Sequence, residues 1–321
     1  MRSRRDLGLG ALTAALFGAA ALWFPGFASF AGVRSLADDS AILLLLAIGE
    51  ALVILTRAID LSVAANLALS GMSVALINRA DPGLSLALLI PLAALLGAAL
   101  GACNGLAVWL LRVPSIVVTL GTMAMYRGCV YLLSQGTWVT SAQMSAAFQG
   151  FVRLRLLGFT LLSWLALSGV LLAWWLLRYT GTGRRFFVAG NNPQAAVYAG
   201  VDVGRTQFLA FVLSGAIAGL CGYLWVARYA VAYTDVANGF ELQVIAACVI
   251  GGISIGGGVG TVSGVVLGCL FLGILKNALP LLGVSPFWQT AVSGLVITIA
   301  VIINARDPSA GRRRILENRP A

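Results

Sequence analysis

Apolar residues fall in long unbroken blocks along this chain, and polar residues gather in the short stretches between them. A block of about 17 to 25 apolar residues crosses the hydrocarbon core of a bilayer as an α-helix. The pattern predicts about ten such spans, near residues 7–27, 37–57, 61–78, 84–111, 115–135, 159–178, 206–228, 241–256, 260–279 and 287–304. The runs are continuous rather than alternating, which argues against a β-barrel. The expected fold is an all-α integral membrane protein with one transmembrane domain over residues 1–321. Arg2, Arg4 and Arg5 ahead of the first block imitate a signal peptide, but the run from Leu7 to Phe24 exceeds a typical signal core and reads as an uncleaved first span.

Residues 179–206 form the most polar stretch away from the two ends. Asn192 followed by Pro193 marks a helix start: an N-cap side chain, then a proline at the first helical position, where its missing N–H costs nothing. Gln194 to Ala199 are mostly good helix formers and Gly200 supplies the stop. A helix of about two turns is marginal alone in water, so this one needs a surface to dock against.

Composition sharpens the class. Charged residues make up 10% of the chain, against about 25% in an average soluble protein. The net charge of +10 comes from twenty Arg and one Lys against eleven acids. These charges sit in loops and at the ends, where they set orientation, and no motif for nucleic acid is present. With the N-terminus inside, the predicted spans place fourteen arginines on the cytoplasmic side and five outside, leaving Arg127 and Lys276 within spans. That asymmetry puts both termini in the cytoplasm, with a tail at 1–6, the loop at 179–206, and a basic tail at 305–321. The larger outer loops are then Gly136 to Gly158 and Tyr229 to Gly239. The five cysteines lie in apolar runs and read as small packing residues.

Two glycine ladders stand out, Gly97–Gly101–Gly105 and Gly260–Gly264–Gly268. Small residues four apart let helices approach closely in lipid. The two ladders fall on spans of opposite sense, which points to inverted halves of the kind transporters use.

Catalytic signatures are largely missing. The chain has no histidine, which removes imidazole-based zinc sites, Ser-His triads and histidine relays. The glycine-rich run Gly251–Thr261 has no Lys before Thr261 and is not a phosphate-binding loop; it reads as a tight turn or a hinge. No metal or cofactor is expected. Glu50 and Arg127 lie mid-span, where charges seek partners, and a Glu50–Arg127 contact is expected. Lys276 can snorkel to the outer surface or line a path. Asn66, Asn104, Asn277, Gln243 and Gln289 serve either as interhelical hydrogen-bonding groups or as solute contacts. Arg57 to Ser62 reads as an inner turn in which Asp60 or Ser62 caps the third helix.

Five segments (Leu55–Val63, Gly190–Val201, Gly239–Ala247, Gly251–Thr261 and Leu282–Gln289) together resemble the ribose-type sugar permeases of bacterial ABC importers. The likeness runs from about residue 40 to 304 and is strongest to the branch serving rhamnose and the autoinducer-2 signal. Arg57-Ala58 and Lys276-Asn277 stand where ribose-type members often have Gly-Gly and Asn-Asn. The resemblance implies a non-enzymatic permease in the bacterial inner membrane, without a cofactor. It implies as partners a separate ABC ATPase, a second permease subunit and an external sugar-binding protein. In that family the cytoplasmic loop helix docks on the ATPase, which maps here onto Gly190, Asn191, Asn192, Pro193, Gln194, Ala195, Ala196 and Gly200. Candidates for the solute path are Glu50, Asn66, Asn104, Arg127, Asn277 and Gln289. The alternative, an ion-coupled secondary transporter, would need midplane acids, and Glu50 is the one available.

Overall fold

The computed structural model describes residues 4–285 together with 288, 291, 294, 295 and 298. The rest of the expected last span 287–304, Gln289 within it, and the basic tail 305–321 lie outside the described residues.

The long helices are α1 (Arg4–Trp23), α2 (Phe30–Leu55), α3 (Val63–Ala80), α4 (Leu86–Leu110) and α5 (Ser115–Ser134). A short strand β1 (Val139–Thr140), helix α6 (Ala146–Gly150) and the hairpin β2 (Arg155–Leu156) with β3 (Phe159–Thr160) follow. Then come α7 (Leu161–Tyr179), α8 (Gly181–Asn191), α9 (Pro193–Tyr198), α10 (Val203–Tyr229), β4 (Val231–Ala232), α11 (Phe240–Ile250) and α12 (Val262–Leu281). Among the described residues seven helices are long and apolar enough to cross a membrane: α1, α3, α4, α5, α7, α10 and α12. Helix α2 is also long, at 26 residues, but carries Asp38, Asp39 and Glu50. The chain is an all-α membrane protein in which the strands are two-residue ties between loops.

Helix α10 is the axis of the packing, and glycine decides how close its neighbours come. A methyl group at Gly97 of α4 would lie 2.2 Å from the carbonyl oxygen of Gly215, and one at Gly101 would lie 2.2 Å from that of Phe211. The first ladder thus presses α4 onto α10, whose own Gly219 faces the carbonyl of Ala93. In lipid no hydrophobic drive joins two apolar helices, so this close van der Waals fit is what holds them. The second ladder works elsewhere: Gly264 and Gly268 of α12 seat against Gly251 and the carbonyl of Ala247, at the end of α11.

The expected eighth span, 241–256, does not form a full crossing. Helix α11 has 11 residues, a rise of about 16 Å against a hydrocarbon core of about 30 Å. The glycines from Gly251 onward end it, and the rest of the segment is loop. Non-helical backbone at depth survives only where protein partners satisfy its polar groups. Here Arg127, midway along α5, donates from Nη1 to the carbonyl oxygen of Val236, in the loop leading into α11. The expected Glu50–Arg127 pair is therefore not formed. Arg127 serves a carbonyl left without a helical partner, and Glu50 accepts the Asp60 N–H just beyond the C-terminal end of α2.

Candidate coupling surface and the polar lattice behind it

Helix α9 is defined by local bonds at both ends. The Asn192 side chain accepts the Ala195 N–H at 3.1 Å, with Pro193 at the first helical position. At the other end the Gly200 N–H donates to the Val197 carbonyl and the Val201 N–H to the Ala196 carbonyl, both at 2.9 Å. Gly200 has φ +75°, the left-handed value this closing motif needs. Asp202 then starts α10 by accepting the Arg205 N–H at 2.9 Å. One side of α9 is buried through Ala196, while Val197 and Tyr198 stand 63% and 94% exposed. These two side chains form the exposed apolar face of this six-residue helix.

Behind α9 lies α8, a helix within the stretch 179–206 expected as loop. Its buried positions, Gly183, Phe186, Ala189 and Gly190, follow helical spacing and were the available signal. Gly190 and Asn191 belong to the end of α8, not to α9. At Gly190 a methyl group would stand 1.9 Å from the Leu55 carbonyl oxygen and 2.6 Å from the Gly258 nitrogen. Gly258 itself donates its N–H to that Leu55 carbonyl at 2.9 Å and packs on Asn191. Gly257 packs on Arg57. From α10, the Gln207 side chain donates to the Thr56 carbonyl at 3.0 Å. The helices on both sides of α9, and the glycine loop, therefore all grip the end of α2. Apart from Gln207 these contacts are backbone to backbone, which is why glycines carry them.

The turn after α2 continues the connection inward. The Asp60 N–H donates to Glu50 Oε1 at 3.1 Å. Asp60 Oδ1 accepts from the Ser62 N–H at 2.9 Å and its hydroxyl at 2.6 Å. Burial pushes the Asp60 carboxyl up from its ordinary range, against the lowering effect of the Ser62 bonds. Asn104 of α4 donates to the Ser62 hydroxyl at 2.8 Å, and Asn66 of α3 donates to the Gly97 carbonyl at 3.0 Å. Ser115 and Thr119 of α5 hold Ile59 through its N–H and carbonyl at 3.1 and 3.3 Å. One buried lattice thus joins α2, α3, α4 and α5, and it contains three path candidates, Glu50, Asn66 and Asn104, each at 0% exposure. Among the described residues Glu50 Oε2 and Asn104 Oδ1 have no hydrogen-bond partner. As for the inner turn, Asp60 braces Ser62, and Ser62 occupies the N-cap position of α3 without a side-chain cap bond.

The other path candidates lie apart from this lattice. Arg127 holds Val236, as described above. Asn277 donates to the Gly273 carbonyl of its own helix at 2.9 Å and borders a small cavity with Asp39, Ser40, Gln243 and Lys276. The Lys276 ammonium lies 5.7 Å from the centre of the Phe240 ring. Gln289 is outside the described residues. Sequence reasoning missed Thr56, Ser115, Gln207 and Tyr198, because their roles depend on neighbours distant in the chain.

Residues 32–301 match the family described as branched-chain amino acid transport system / permease component. The chain is 37% identical over 292 residues to the autoinducer 2 import system permease protein LsrC of Enterobacter sp. (strain 638), covering 91% of this chain and 84% of that one. It is 36% identical over 284 residues to the protein of the same name from Yersinia pseudotuberculosis serotype O:1b (strain IP 31758), covering 88% and 80%. No solved structure matches the chain. With the match running over most of its length, this multi-pass chain belongs to the branched-chain amino acid transport system permease family and is a transport subunit rather than an enzyme.

Proposed function

We propose that this chain is the membrane-spanning subunit of an ATP-driven (ABC) importer in the bacterial inner membrane, and that α9 is where a separate ATPase drives it. The observation that carries the coupling role is the seat of α9: capped at both ends, it exposes Val197 and Tyr198, while its flanking helices grip the end of α2. A helix presented this way passes a push on its outer face into the spans through the glycine backbone contacts of α8 and the Gln207 side chain of α10. Gly190, Asn191, Asn192, Pro193, Gln194, Ala195, Ala196 and Gly200 shape that surface. The relatives named for autoinducer 2 import support a small hydrophilic, sugar-like solute of that kind.

Membrane crossings arranged as inverted halves, the eighth completed by loop rather than by helix, with residues 1–6, 179–206 and 305–321 in the cytoplasm, agree with the arginine asymmetry and the two glycine ladders. A second permease subunit completes the passage, and an external binding protein delivers the solute. ATP binding shifts the outward and inward populations only as far as the ATPase grips the two differently. Of the path candidates, Asn277 and Arg127 lie beside the broken crossing around α11, and we place solute contact there. Glu50, Asn66 and Asn104 hold the helices that move. The ion-coupled alternative has no relative in its support.

The test is Ala196→Pro in the reconstituted complex. A proline there removes the N–H that donates to the Asn192 carbonyl at 2.9 Å and breaks α9 while leaving the spans inserted. Solute-stimulated ATP hydrolysis and uptake should both be lost. Wild-type coupling in this variant would refute the docking role.

A further inference from the structure

We propose that the cleft beside α9 is a second docking seat for the ATPase subunit, one in which Arg57 and Arg112 receive acidic side chains of that partner. The inference rests on the importer reading above and adds to it an electrostatic contact made by two turns outside the 179–206 loop.

The cleft has a volume of about 870 Å³ and lies between the end of α9, the turn after α2 and the turn after α4. Val197 and Gly200 form one wall, Trp109 another, and Arg57 and Arg112 border it from the two turns. The Trp109 ring is fixed by Phe208, with centroids 5.6 Å apart, and by Gly204, which leaves room for it. Both arginines have positive φ, +67° and +54°, at the points where the chain leaves α2 and α4. Among the described residues neither guanidinium has a hydrogen-bond or ion-pair partner. The acid lining the cleft is Asp202, and its Oδ1 already accepts the Arg205 N–H at the start of α10.

Two unpaired guanidiniums against one engaged carboxylate make a seat for anionic oxygens, which arginine binds in a planar, two-pronged geometry. The position selects the occupant. Val197 belongs both to the exposed face of α9 and to the cleft wall, so a protein seated on α9 covers the mouth of the cleft. Carboxylates on that protein therefore fit better than any free anion. The consequence is mechanical: force would reach the α2–α3 and α4–α5 turns directly, and not only through α8.

The experiment measures the affinity of the full-length permease in nanodiscs for its separately purified ATPase subunit, as a function of salt. Arg57→Glu/Arg112→Glu should weaken binding at low salt by at least about tenfold, and Arg57→Gln/Arg112→Gln should flatten the salt dependence. Arg57→Lys/Arg112→Lys, which keeps both charges, should retain a salt slope close to wild type and so separates charge from folding. A reciprocal Lys placed at the partner's contacting acid should restore binding to the Glu variant. Cross-linking from Tyr198→Cys to the ATPase reports the α9 contact independently. If that cross-link forms and all three double variants bind with wild-type salt dependence, the cleft proposal is wrong and the coupling reading stands. If the cross-link does not form, the coupling reading falls and the cleft proposal with it. Repeating the measurement in phosphatidylcholine and phosphatidylglycerol discs covers the lipid source: variants that change phosphatidylglycerol retention but not ATPase affinity would overturn the proposal in favour of a headgroup site.

Discussion

The two ends of the bundle are held together by different means. At the α9 end α8 and the glycine loop meet the end of α2 through glycine backbone, with Gln207 of α10 adding a side-chain tie: Gly190 on the Leu55 carbonyl, Gly258 on Asn191, Gly257 on Arg57. At the opposite end side chains tie the loops. Asn78 exchanges two bonds with Ser145 at 2.9 and 3.1 Å, and Tyr223 donates to the Phe148 carbonyl at 3.1 Å. Asp38 accepts from Thr160 and Ser163, Arg228 pairs with Asp39, and β1 lies antiparallel to β4. Side-chain ties can loosen and re-form one at a time. Glycine contacts have no rotamers to absorb a displacement, so one element moves when the other does. The first end suits transmission, and the second suits a cover that opens.

This contrast can be broken most severely at Gly190. In Gly190→Ala the methyl group must displace the Leu55 carbonyl, at a cost of about 1–3 kcal/mol of overpacking. Solute-stimulated hydrolysis should fall at least tenfold while the basal rate of the ATPase alone is unchanged; near-normal stimulation would show that the contact is not transmitting. Next in size is Glu50. Glu50→Ala leaves the buried Asp60 N–H unsatisfied, a loss of about 1–3 kcal/mol in thermal unfolding, whereas Glu50→Gln keeps an acceptor oxygen and should lose much less. Equal losses in the two variants would remove the bracing role assigned to Oε1.

Arg127→Met sharpens the picture of the opposite end. It frees the Val236 carbonyl, so hydrogen exchange should quicken across residues 231–240 and uptake should fall while ATPase affinity holds. Unchanged exchange there would mean the guanidinium does not secure the broken crossing. The smallest effect belongs to Asn78→Ala, about 1 kcal/mol, with faster exchange confined to residues 141–150. A change in coupling from this variant would erase the distinction between the two ends.

Much of the architecture was legible because its signals are local. Span positions follow from apolar length, and α9 from Asn192, Pro193 and Gly200, each acting on residues within one turn. The first glycine ladder marked a close helix crossing, though not that α10 fills it. What differs from the sequence pattern has one cause, distant neighbours. The glycines of α8 lower its intrinsic helix propensity, and burial of Phe186 overrides that. Hydropathy alone predicts a full eighth span and does not register that glycines end α11 after 11 residues. Opposite charge points Arg127 to Glu50, yet a carbonyl outside regular helix lies closer at hand.

Apolar block length and near-neighbour chemistry are enough to place the chain in a membrane, to divide it into its long helices and to locate the short capped helix that interrupts them. Those outcomes depend on transfer of apolar length from water and on hydrogen bonds between near neighbours. That the flanks of this helix grip the end of α2, that Glu50 braces Asp60 and that Arg127 serves Val236 emerges from the packed helices alone. The reason is that a buried polar group takes whichever partner the packed helices bring within reach, and that choice is made by residues far away in the chain.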